Sequence, residues 1–487
     1  MDLSPQPILD AAERYRGKFV DLDASRVVDA DAFHIARGQL AERLTSLGLA
    51  PGERVVVSVG NGPHFVAALL SVLTVGGSPL LLHAKAPAAE LKRTALRFGA
   101  RLILSDECPL ADLQAEELPI AGLSAGDWLQ LGAAKIDWRL PGFNGGYAQL
   151  AGVPLHPTSG TTGVPKVAVR PGLAATEEAR HYIETIGITS EDAVMAIAPM
   201  CHAYAYGMCV MVPLLSGASV VSMRSFQASK VFQGLAEEHV TILPAVPAML
   251  DVLLFGAGDR LRGTVRTVLS AGSPLSERTA QRFYAKSGLI VRPLYGTTET
   301  GGITVAPAGE RQIAGSCVGP PMQGVEAQVR PHLAHTDSQP GVGRLFIRSS
   351  SMMAGYLGPD GIDPSPLTDG WFETGDLARL DESGHIHLLG RESEMINVEG
   401  LKVIPSEVEE VIAAIPGVVE VKVYAGSRKS GGQFIKAAVV TEGTVDVQTI
   451  RAHCERHLVY YKRPERILPL AALPRSPAGK IQRDQLP

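Results

Sequence analysis

Short runs of β-branched and aliphatic residues alternate with longer helical patterns along most of the chain. The apolar run Arg54–Val59 is followed, after the Asn61-Gly62 turn signal, by the helical pattern Pro63–Val75. Ser219–Met223 is likewise followed by the helical pattern Ala228–Glu238. Further strand-like runs continue the alternation at Thr241–Pro244, Thr267–Ser270 and Ile290–Pro293. Strands that alternate with helices predict an α/β fold, with mostly parallel sheets and helices on their faces.

The C-terminal part of the chain has a different pattern. A helix is predicted over Ile404–Ile415, opened by a capping box at Ser406–Glu409 and ended by Gly417. Two strands and a second helix are predicted after it, at Val418–Tyr424, Phe434–Val440 and near Thr449–Leu458. We therefore expect a large N-terminal domain over residues 1–390 and a small α+β domain over residues 391–487.

One long segment without charged residues raises the question of a membrane. Ala193–Met223 contains no Asp, Glu, Lys or Arg, and its length would allow it to cross a bilayer. Pro199, Gly207, Pro213 and Gly217 interrupt it. A buried strand–loop–helix–strand passage, forming core or pocket wall, is therefore expected instead of an integral membrane helix.

Composition narrows the class of protein. The chain has 487 residues, so two or more domains are expected, and 45% hydrophobic with 20% charged residues is typical of globular proteins. A net charge of −5 provides no basic surface for nucleic acid or anionic membranes. The five cysteines lack metal-site spacing, and the polar first residues do not resemble a secretory signal. These features favour a cytoplasmic protein.

The segment Thr158–Lys166 has the composition of a loop that binds polyphosphate. Glycines let backbone N–H groups approach an anion, hydroxyls donate to its oxygens, and a lysine adds positive charge. A flexible surface turn is the alternative. The segment is not a Walker A loop, because the G-x-x-x-x-G-K-[ST] pattern is absent. Its candidate ligand residues are Thr158, Ser159, Gly160, Thr161, Thr162, Gly163 and Lys166.

Four more motifs follow in order along the chain: Tyr295-Gly296-Thr297-Thr298-Glu299, Thr374-Gly375-Asp376, Gly390-Arg391 and Pro477-Ala478-Gly479-Lys480. Together with Thr158–Lys166, their order and spacing resemble the adenylate-forming superfamily. Its members include acyl- and aryl-CoA synthetases, adenylation domains and luciferases. The resemblance extends from Leu44 to Lys480, and five motifs in the right order are far more specific than any one of them.

The resemblance implies that ATP activates a carboxylic acid as acyl-AMP, with release of pyrophosphate. Thr158, Ser159, Thr161, Thr162 and Lys166 would bind the β- and γ-phosphates. Thr298 would contact the α-phosphate and Glu299 would hold Mg²⁺. Tyr295 would stack on adenine, with Gly272 beside it. Further nucleotide contacts would come from Gly296, Thr297 and Arg391. Asp376 would accept both ribose hydroxyls. Two acceptor oxygens suit Asp376 to that role.

By the same resemblance, Lys480 would bridge the substrate carboxylate and the α-phosphate during adenylation, lowering the repulsion between the two anions. Each assignment has an alternative. Lys480 could be a solvated lysine in a frayed tail. Thr298 and Glu299 could cap a following helix, Asp376 could be a turn residue, and Arg391 could form a surface ion pair with Glu392 and Glu394.

A second half-reaction is implied by the small domain, which is mobile in related enzymes. It rotates after adenylation and admits a pantetheine thiol, either CoA or the phosphopantetheine arm of an acyl or peptidyl carrier protein. Gly400–Val403 matches the loop that contacts this thiol cofactor. The hinge position two residues after Arg391 is usually Asp or Lys, whereas this chain has Ser393.

The substrate acid would be selected around Met200–Gly207. Relatives that activate amino acids usually place an Asp early in this region, but no Asp lies between Asp192 and Asp251. A zwitterionic substrate is therefore disfavoured, and an apolar or aryl carboxylic acid is expected. The residues expected to contact it are His202, Tyr204, Tyr206, Val246 and Gly272. His202 could instead be a core histidine, and the adjacent Cys201 and His202 a chance pair rather than a nucleophile–base unit.

Two other function classes stay open at this point: an inactive nucleotide-binding relative and a luciferase-like oxygenase. Either a monomer or a homodimer is compatible with the sequence.

Overall fold

A computed structural model describes residues 2–487 except 107–119, 138, 145–149, 151, 159–165, 257–260, 262, 311–314, 332–340, 399–400, 429–431, 444 and 476–480. The chain folds into two compact units. The first comprises Met1–Gly315, Gly319–Glu326 and Ile347–Phe372, and the second comprises Ser316–Val318, Ala327–Phe346 and Glu373–Pro487. The division into domains 1–390 and 391–487 stays a prediction.

The first unit contains an eight-stranded sheet with a parallel centre. Six neighbouring strands run parallel, and the outermost strand at each edge is antiparallel. Its strands follow the order Gly301–Val305, Val291–Thr297, Thr267–Ser270, Ile242–Ala245, Ala193–Ala196, Ser219–Ser222, Phe19–Asp21 and Arg26–Val28. The central strands are buried from end to end, which explains their continuous apolar runs.

A nine-stranded sheet also lies in the first unit. Its four central strands run parallel and antiparallel pairs extend it on both sides. The strand order is Gly361–Asp363, Gly355–Gly358, Lys166–Val169, Leu155–Thr158, Ser78–Leu81, Arg54–Ser58, Ala100–Ser105, Leu129–Lys135 and Ile120–Ala125. The predicted α/β class is thus confirmed, with antiparallel edges that the strand–helix alternation did not indicate.

Helices of the first unit connect the parallel strands, as the alternating pattern predicts. Pro63–Thr74 is buried over all but its last residue, so its sequence is apolar on every side. Asp29 and Ser276 cap two other helices by accepting the N–H groups of Ala32 and Thr279. The helices are Gln6–Arg14, Ala30–Ser46, Pro63–Thr74, Ala88–Arg97, Gly172–Ile186, Ala203–Tyr206, Val212–Ser216, Ala228–Glu237, Pro247–Gly256 and Glu277–Ser287, with a π-helical turn at Gly207–Met211.

The uncharged segment 193–223 is the buried passage that its prolines and glycines predict. It forms a strand, a short broken helix with the π-helical turn, and a second strand in the same sheet. None of the helices within the described ranges combines the length and the hydropathy needed to cross a bilayer.

A six-stranded sheet contains Asp376 and Arg391. Their strands, Trp371–Leu380 and Ile386–Arg391, pair antiparallel with Asp376 opposite Arg391. The full order is Cys317–Gly319, Ile386–Arg391, Trp371–Leu380, Val342–Ser349 and Val325–Pro331, with Leu367–Thr368 paired to Trp371–Leu380.

The C-terminal residues form the α+β arrangement that their pattern predicts. Helices Pro405–Ala413 and Val447–His457 accompany a three-stranded sheet of Val418–Ser427, Gln433–Thr441 and Arg466–Pro469. A small hairpin of Ile396–Val398 and Leu401–Val403, and single helical turns at Glu392–Glu394, Tyr460–Lys462 and Arg483–Gln485, complete the elements described. Apolar faces of both helices and the sheet share one core.

The predicted capping box at Ser406–Glu409 is wrong. The helix begins at Pro405, whose fixed φ suits the first turn, and Ser406 already lies inside that turn. The Ser406 hydroxyl donates to the carbonyl of Leu389. The Glu409 carboxylate accepts the backbone N–H of Val423 at 2.8 Å, so both side chains bind neighbouring strands instead of the helix start.

The turn between the strands of Asp376 and Arg391 provides a stability prediction. Asp381 accepts the N–H groups of Ser383 and His385 at 2.9 Å and contacts His387 Nε2 at 2.9 Å. The hydrogen bond from His387, followed by those from the backbone, lowers the pKa of Asp381 from 3.8 to about 2. A lowered pKa means that the ionised carboxylate stabilises the folded state above pH 3.8 and that this contribution is lost as the pH falls through 2.

We therefore expect Asp381→Asn to lower the urea midpoint of unfolding at pH 7, and the difference from wild type to close as the pH is lowered from 4 towards 2. Urea titrations at a series of pH values measure this. Glu382→Gln, at the neighbouring exposed carboxylate, is the control and should show no such convergence. A pH-independent difference between Asp381→Asn and wild type would contradict the assignment.

Candidate active site

Residues expected to bind nucleotide and acid follow the carboxyl ends of parallel strands in the eight-stranded sheet. Val246 follows Ile242–Ala245, Gly272 follows Thr267–Ser270, and Tyr295 lies near the end of Val291–Thr297. Because these strands are parallel neighbours, the three residues share one edge of the sheet, where ligands bind in open α/β folds.

Gly272 and Val246 are neighbours at this edge. A Cβ atom on Gly272 would lie 3.5 Å from Val246 Cγ1, and the positive φ of +84° favours glycine there. Gly272 is exposed and Val246 is half-buried. Together they present a small apolar wall without a charged group, which suits an apolar acid or the face of a base.

The described ends of the proposed phosphate loop form the base of a β-hairpin. Thr158 pairs with Lys166 across the antiparallel strands, and the Thr158 hydroxyl donates to the Lys166 carbonyl at 3.4 Å. Ser159, Gly160, Thr161, Thr162 and Gly163 lie outside the described residues. The strand pairing thus brings Thr158 and Lys166, the two described ends of the segment, next to each other.

Thr298 and Glu299 lie in a tight turn between two antiparallel strands. Thr297 and Thr300 close this turn, their hydroxyl oxygens being 3.0 Å apart, and the next strand begins at Gly301. No helix follows, so the alternative that Thr298 and Glu299 cap a helix is wrong. Gly296 is exposed, and Tyr295, Thr297, Thr298 and Glu299 are all half-buried, within reach of a ligand.

Side-chain contacts through Tyr356 link this turn to the hairpin. Lys166 Nζ lies 4.8 Å from the centre of the Tyr356 ring, and the Tyr356 hydroxyl donates to Glu299 Oε1 at 2.8 Å. Tyr356 reaches both because its strand, Gly355–Gly358, pairs with the strand that begins at Lys166. The lysine of the first motif and the carboxylate of the second therefore belong to one cluster, joined by a tyrosine that sequence reasoning missed.

Asp376 and Arg391 form an ion pair in the second unit. Arg391 Nε lies 2.8 Å from Asp376 Oδ1, and the guanidinium also donates to the Thr374 carbonyl at 3.3 Å. The Asp376 side chain is 10% exposed and that of Arg391 is 43% exposed. Because the pair is fixed by strand register, the two predicted nucleotide ligands are held together.

The alternative that Arg391 pairs with Glu392 and Glu394 does not hold, because those carboxylates bind Arg344 and Arg483. Ser393 lies between them in a single helical turn and is exposed. Lys480 lies outside the described residues, as does Gly400 of the predicted thiol-contacting loop.

The expected acid-binding residues occupy different depths. His202 is exposed at the start of the helix Ala203–Tyr206, and its ring lies 6.1 Å from that of His83. Tyr206 is fully buried and packs edge-on against His156 at 4.7 Å. Tyr204 is half-buried, and burial of its phenol raises its pKa. His202 thus lies at the surface, which rules out the alternative of a core histidine, while Tyr206 belongs to the interior.

Burial of Cys201 agrees with a chance pair of Cys201 and His202 rather than a nucleophile–base unit. Cys201 is 7% exposed, and desolvation raises the pKa of its thiol to about 12. Because the thiolate is the nucleophile, such a thiol is inert at neutral pH. We expect Cys201→Ala to keep wild-type acid-dependent pyrophosphate exchange; a specific loss of exchange with an unchanged melting temperature would contradict this.

The residues present fit ATP with Mg²⁺. Glu299 offers a half-buried carboxylate beside the hydroxyls of Thr297 and Thr298, and oxygen ligands are those that Mg²⁺ prefers. Tyr356 binds Oε1 of Glu299 and orients the carboxylate. None of the five sequence motifs includes Tyr356, because only strand pairing brings it to Glu299.

Comparison with known proteins identifies the family of the chain. A model of the AMP-binding enzyme family matches residues 30–357, and that of the AMP-binding enzyme C-terminal domain matches residues 407–480. A sulfoacetate–CoA ligase of Cupriavidus necator is 30% identical over 95% of this chain and 93% of its own length. The long-chain-fatty-acid–CoA ligase FadD13 of Mycobacterium tuberculosis is 28% identical over 91% of this chain and 89% of its own.

Solved structures share the fold. The ATP-bound crystal structure of MatB from Rhodopseudomonas palustris superimposes with a TM-score of 0.80 at 24% identity, covering 99% of this chain and 98% of that one. Motif order, fold and both family matches lead to one conclusion: the chain belongs to the AMP-binding enzyme family and is an adenylate-forming ligase.

Proposed function

We propose that this protein activates an apolar or aromatic carboxylic acid with ATP as acyl-AMP and transfers the acyl group to the thiol of CoA, giving a thioester and AMP. The observation that carries the proposal is the Lys166–Tyr356–Glu299 cluster, which joins the ends of a phosphate-binding hairpin to a metal-binding turn. The curated relatives named above are CoA ligases, which supports CoA as the acceptor.

Activation requires two anions to approach each other. A carboxylate oxygen attacks the α-phosphorus of ATP, the bond to the β-phosphate oxygen breaks, and pyrophosphate leaves with that electron pair. Thr158, Lys166 and the loop between them hold the leaving pyrophosphate, and Thr298 donates to the α-phosphate. Glu299 would hold Mg²⁺, which when bound neutralises phosphate charge. Lys480 would bridge the two reacting anions.

Asp376 and Arg391 supply ribose contacts in this proposal. Asp376 accepts the ribose hydroxyls, and its ion pair with Arg391 fixes the direction of the carboxylate. Thr374 holds the backbone of Asp376 in place, because its hydroxyl accepts the Asp376 backbone N–H at 3.1 Å and donates to the Leu345 carbonyl at 3.1 Å. A rigid acceptor costs little ordering entropy when nucleotide binds.

Thioester formation is the second half-reaction. The CoA thiol, as thiolate, attacks the acyl carbonyl of acyl-AMP, and AMP departs from the tetrahedral intermediate. Ser393 occupies the hinge position, and its exposed hydroxyl has neither the charge of Asp nor that of Lys. A carrier-protein phosphopantetheine arm presents the same thiol, so the acceptor has to be decided by experiment.

The acid is proposed to lie along His202, Tyr204, Val246 and Gly272, with Tyr206 behind them. The aspartates that flank this region in the chain are already engaged: Asp192 is bound to Arg266 at 2.8 Å, and Asp251 accepts the Thr279 hydroxyl at 3.0 Å. An unpaired ammonium group would lose its hydration without compensation. Acids without an α-amino group are therefore the expected substrates.

The test is acid-dependent pyrophosphate exchange with a panel of carboxylic acids. Phenylalanine and 3-phenylpropanoate form a matched pair that differs in the ammonium group, and only the second should support exchange. Positive acids are then assayed for thioester formation with free CoA and with a phosphopantetheinylated carrier protein. If none of the acids supported exchange, an inactive nucleotide-binding relative would be favoured. Acid-dependent oxygen consumption would favour a luciferase-like oxygenase.

A further inference from the structure

A buried ion pair lies beneath the turn that carries Thr298 and Glu299. Arg170 Nη2 and Glu178 Oε2 are 2.9 Å apart, and their side chains are 0% and 1% exposed. Arg170 directly follows the strand Lys166–Val169, and Glu178 lies in the helix Gly172–Ile186. The pair therefore connects the base of the hairpin to the helix that follows it.

Both members of the pair also bind backbone groups on either side of Glu299. Glu178 Oε1 accepts the Gly302 N–H at 3.0 Å and the Tyr182 hydroxyl at 3.1 Å. Arg170 Nη2 donates to the Ser351 carbonyl at 3.1 Å. Each ion thus has a directional contact with a different segment: Glu178 with the strand Gly301–Val305, and Arg170 with the loop that contains Ser351.

The segment that contains Ser351 is hydrogen-bonded directly to the turn, and the strand that contains Gly302 follows the turn in the chain. The Ser351 hydroxyl donates to the Thr300 carbonyl at 2.8 Å, and the Met353 N–H donates to the Glu299 carbonyl at 2.7 Å. Gly301 and Gly302 pack tightly against this helix. A Cβ atom on Gly301 would lie 2.8 Å from Glu178 Cδ, and one on Gly302 would lie 2.3 Å from the Tyr182 hydroxyl oxygen. A displacement of the pair must therefore displace the Glu299 backbone.

Stability alone does not account for two buried charges. Desolvation of both ions offsets most of their attraction, and apolar residues of similar volume are often as stable as a buried pair. Apolar side chains would, however, leave the Gly302 N–H and the Ser351 carbonyl without these partners. What the charged pair adds is that it fixes the positions of the Gly302 and Ser351 backbones.

We propose that Arg170 and Glu178 are positioning residues that hold the Thr298–Glu299 turn in the geometry that binds ATP with Mg²⁺. The inference rests on the proposed function, because it assigns Glu299 to the metal. It predicts that the pair governs the Mg²⁺ requirement of ATP binding separately from folding stability.

The test measures ATP binding by calorimetry at increasing Mg²⁺ concentrations, without any acid, on the full chain. Arg170→Met/Glu178→Met removes both charges and leaves neither ion unpaired. We expect this variant to keep its melting temperature within a few degrees of wild type and to need about tenfold more Mg²⁺ for half-maximal ATP binding, the usual effect of losing an outer-shell partner.

Two further variants make the result decisive. Glu178→Asp keeps the charge but withdraws the carboxylate by one methylene, so it should fold and still raise the Mg²⁺ requirement severalfold. Arg266→Met/Asp192→Met is the matched control, because this ion pair also binds backbone groups but lies before the strand Ala193–Ala196, at the opposite edge of the sheet. It should leave the Mg²⁺ requirement unchanged.

An unchanged Mg²⁺ requirement in Glu178→Asp and in the Arg170/Glu178 double variant would overturn the inference and leave the pair with a structural role only. An equal shift in the Arg266/Asp192 control would also overturn it, because the effect would then be general destabilisation. If wild type itself failed to bind ATP at any Mg²⁺ concentration, the proposed function would fall, and the positioning role with it.

Discussion

Replacement of Lys480 with alanine is expected to reduce acyl-adenylate formation by roughly a hundred- to a thousandfold, the usual effect of removing a group that neutralises transition-state charge. In the proposed reaction a carboxylate approaches a phosphate, and a cation between them removes much of their repulsion. Thioester formation from a synthetic acyl-adenylate and CoA should continue near the wild-type rate, because that step brings no second anion to the phosphate.

Single-turnover assays of the two half-reactions measure this separation. Lys436→Ala is a suitable control, since Lys436 lies in the same unit and contacts the Tyr424 ring and the Pro487 carbonyl. It should affect neither half-reaction. An equal fall of both half-reactions in Lys480→Ala would show that Lys480 has a different role from the one proposed.

Glu299→Gln is expected to have the next largest effect, on the order of a hundredfold increase in the Mg²⁺ concentration needed for pyrophosphate exchange. The amide keeps the size of the side chain and can still accept the Tyr356 hydroxyl, but it loses the negative charge that a hard cation requires. Tyr356→Phe removes only the orienting hydrogen bond, so about a tenfold increase is expected.

The Mg²⁺ dependence of exchange at saturating ATP measures both effects. Glu326→Gln removes an exposed carboxylate of the same unit that pairs with Arg348 at 2.6 Å, and it should leave the dependence unchanged. A wild-type Mg²⁺ dependence in Glu299→Gln would remove Glu299 from the metal site and would leave the cluster with Lys166 and Tyr356 as a structural contact.

Much of the fold could be predicted because periodicity reports local structure. The strand Thr267–Ser270 has the predicted bounds, and the strands and helix of 193–223 have the predicted order. Errors lie at element ends: the helix predicted from Ile404 begins at Pro405, and the strand predicted to end at Pro293 continues to Thr297. Ends depend on contacts with other elements, and these are not visible in a local window.

Function could be predicted because the motifs that carry it are local. Residues expected to bind phosphate or ribose are grouped in short sequence motifs, so Thr158–Lys166, Thr298-Glu299 and Asp376 can be identified without a structure. The class of reaction followed from their order. The identity of the acid did not, because the residues proposed to contact it include Val246 and Gly272, which lie far apart in the chain and meet only at the sheet edge.

By itself, then, the sequence determined the α/β class, the adenylate-forming chemistry and the nucleotide-binding motifs, because periodicity and short motifs are properties of neighbouring residues. Tertiary structure alone decided the contacts that combine them. Strand pairing brings Tyr356 to Glu299. Strand register pairs Arg391 with Asp376 instead of with its neighbouring glutamates. The fold also brings Arg170 and Glu178 together beneath the turn. Such contacts join residues distant in the chain, so only the folded arrangement of the sheets specifies them.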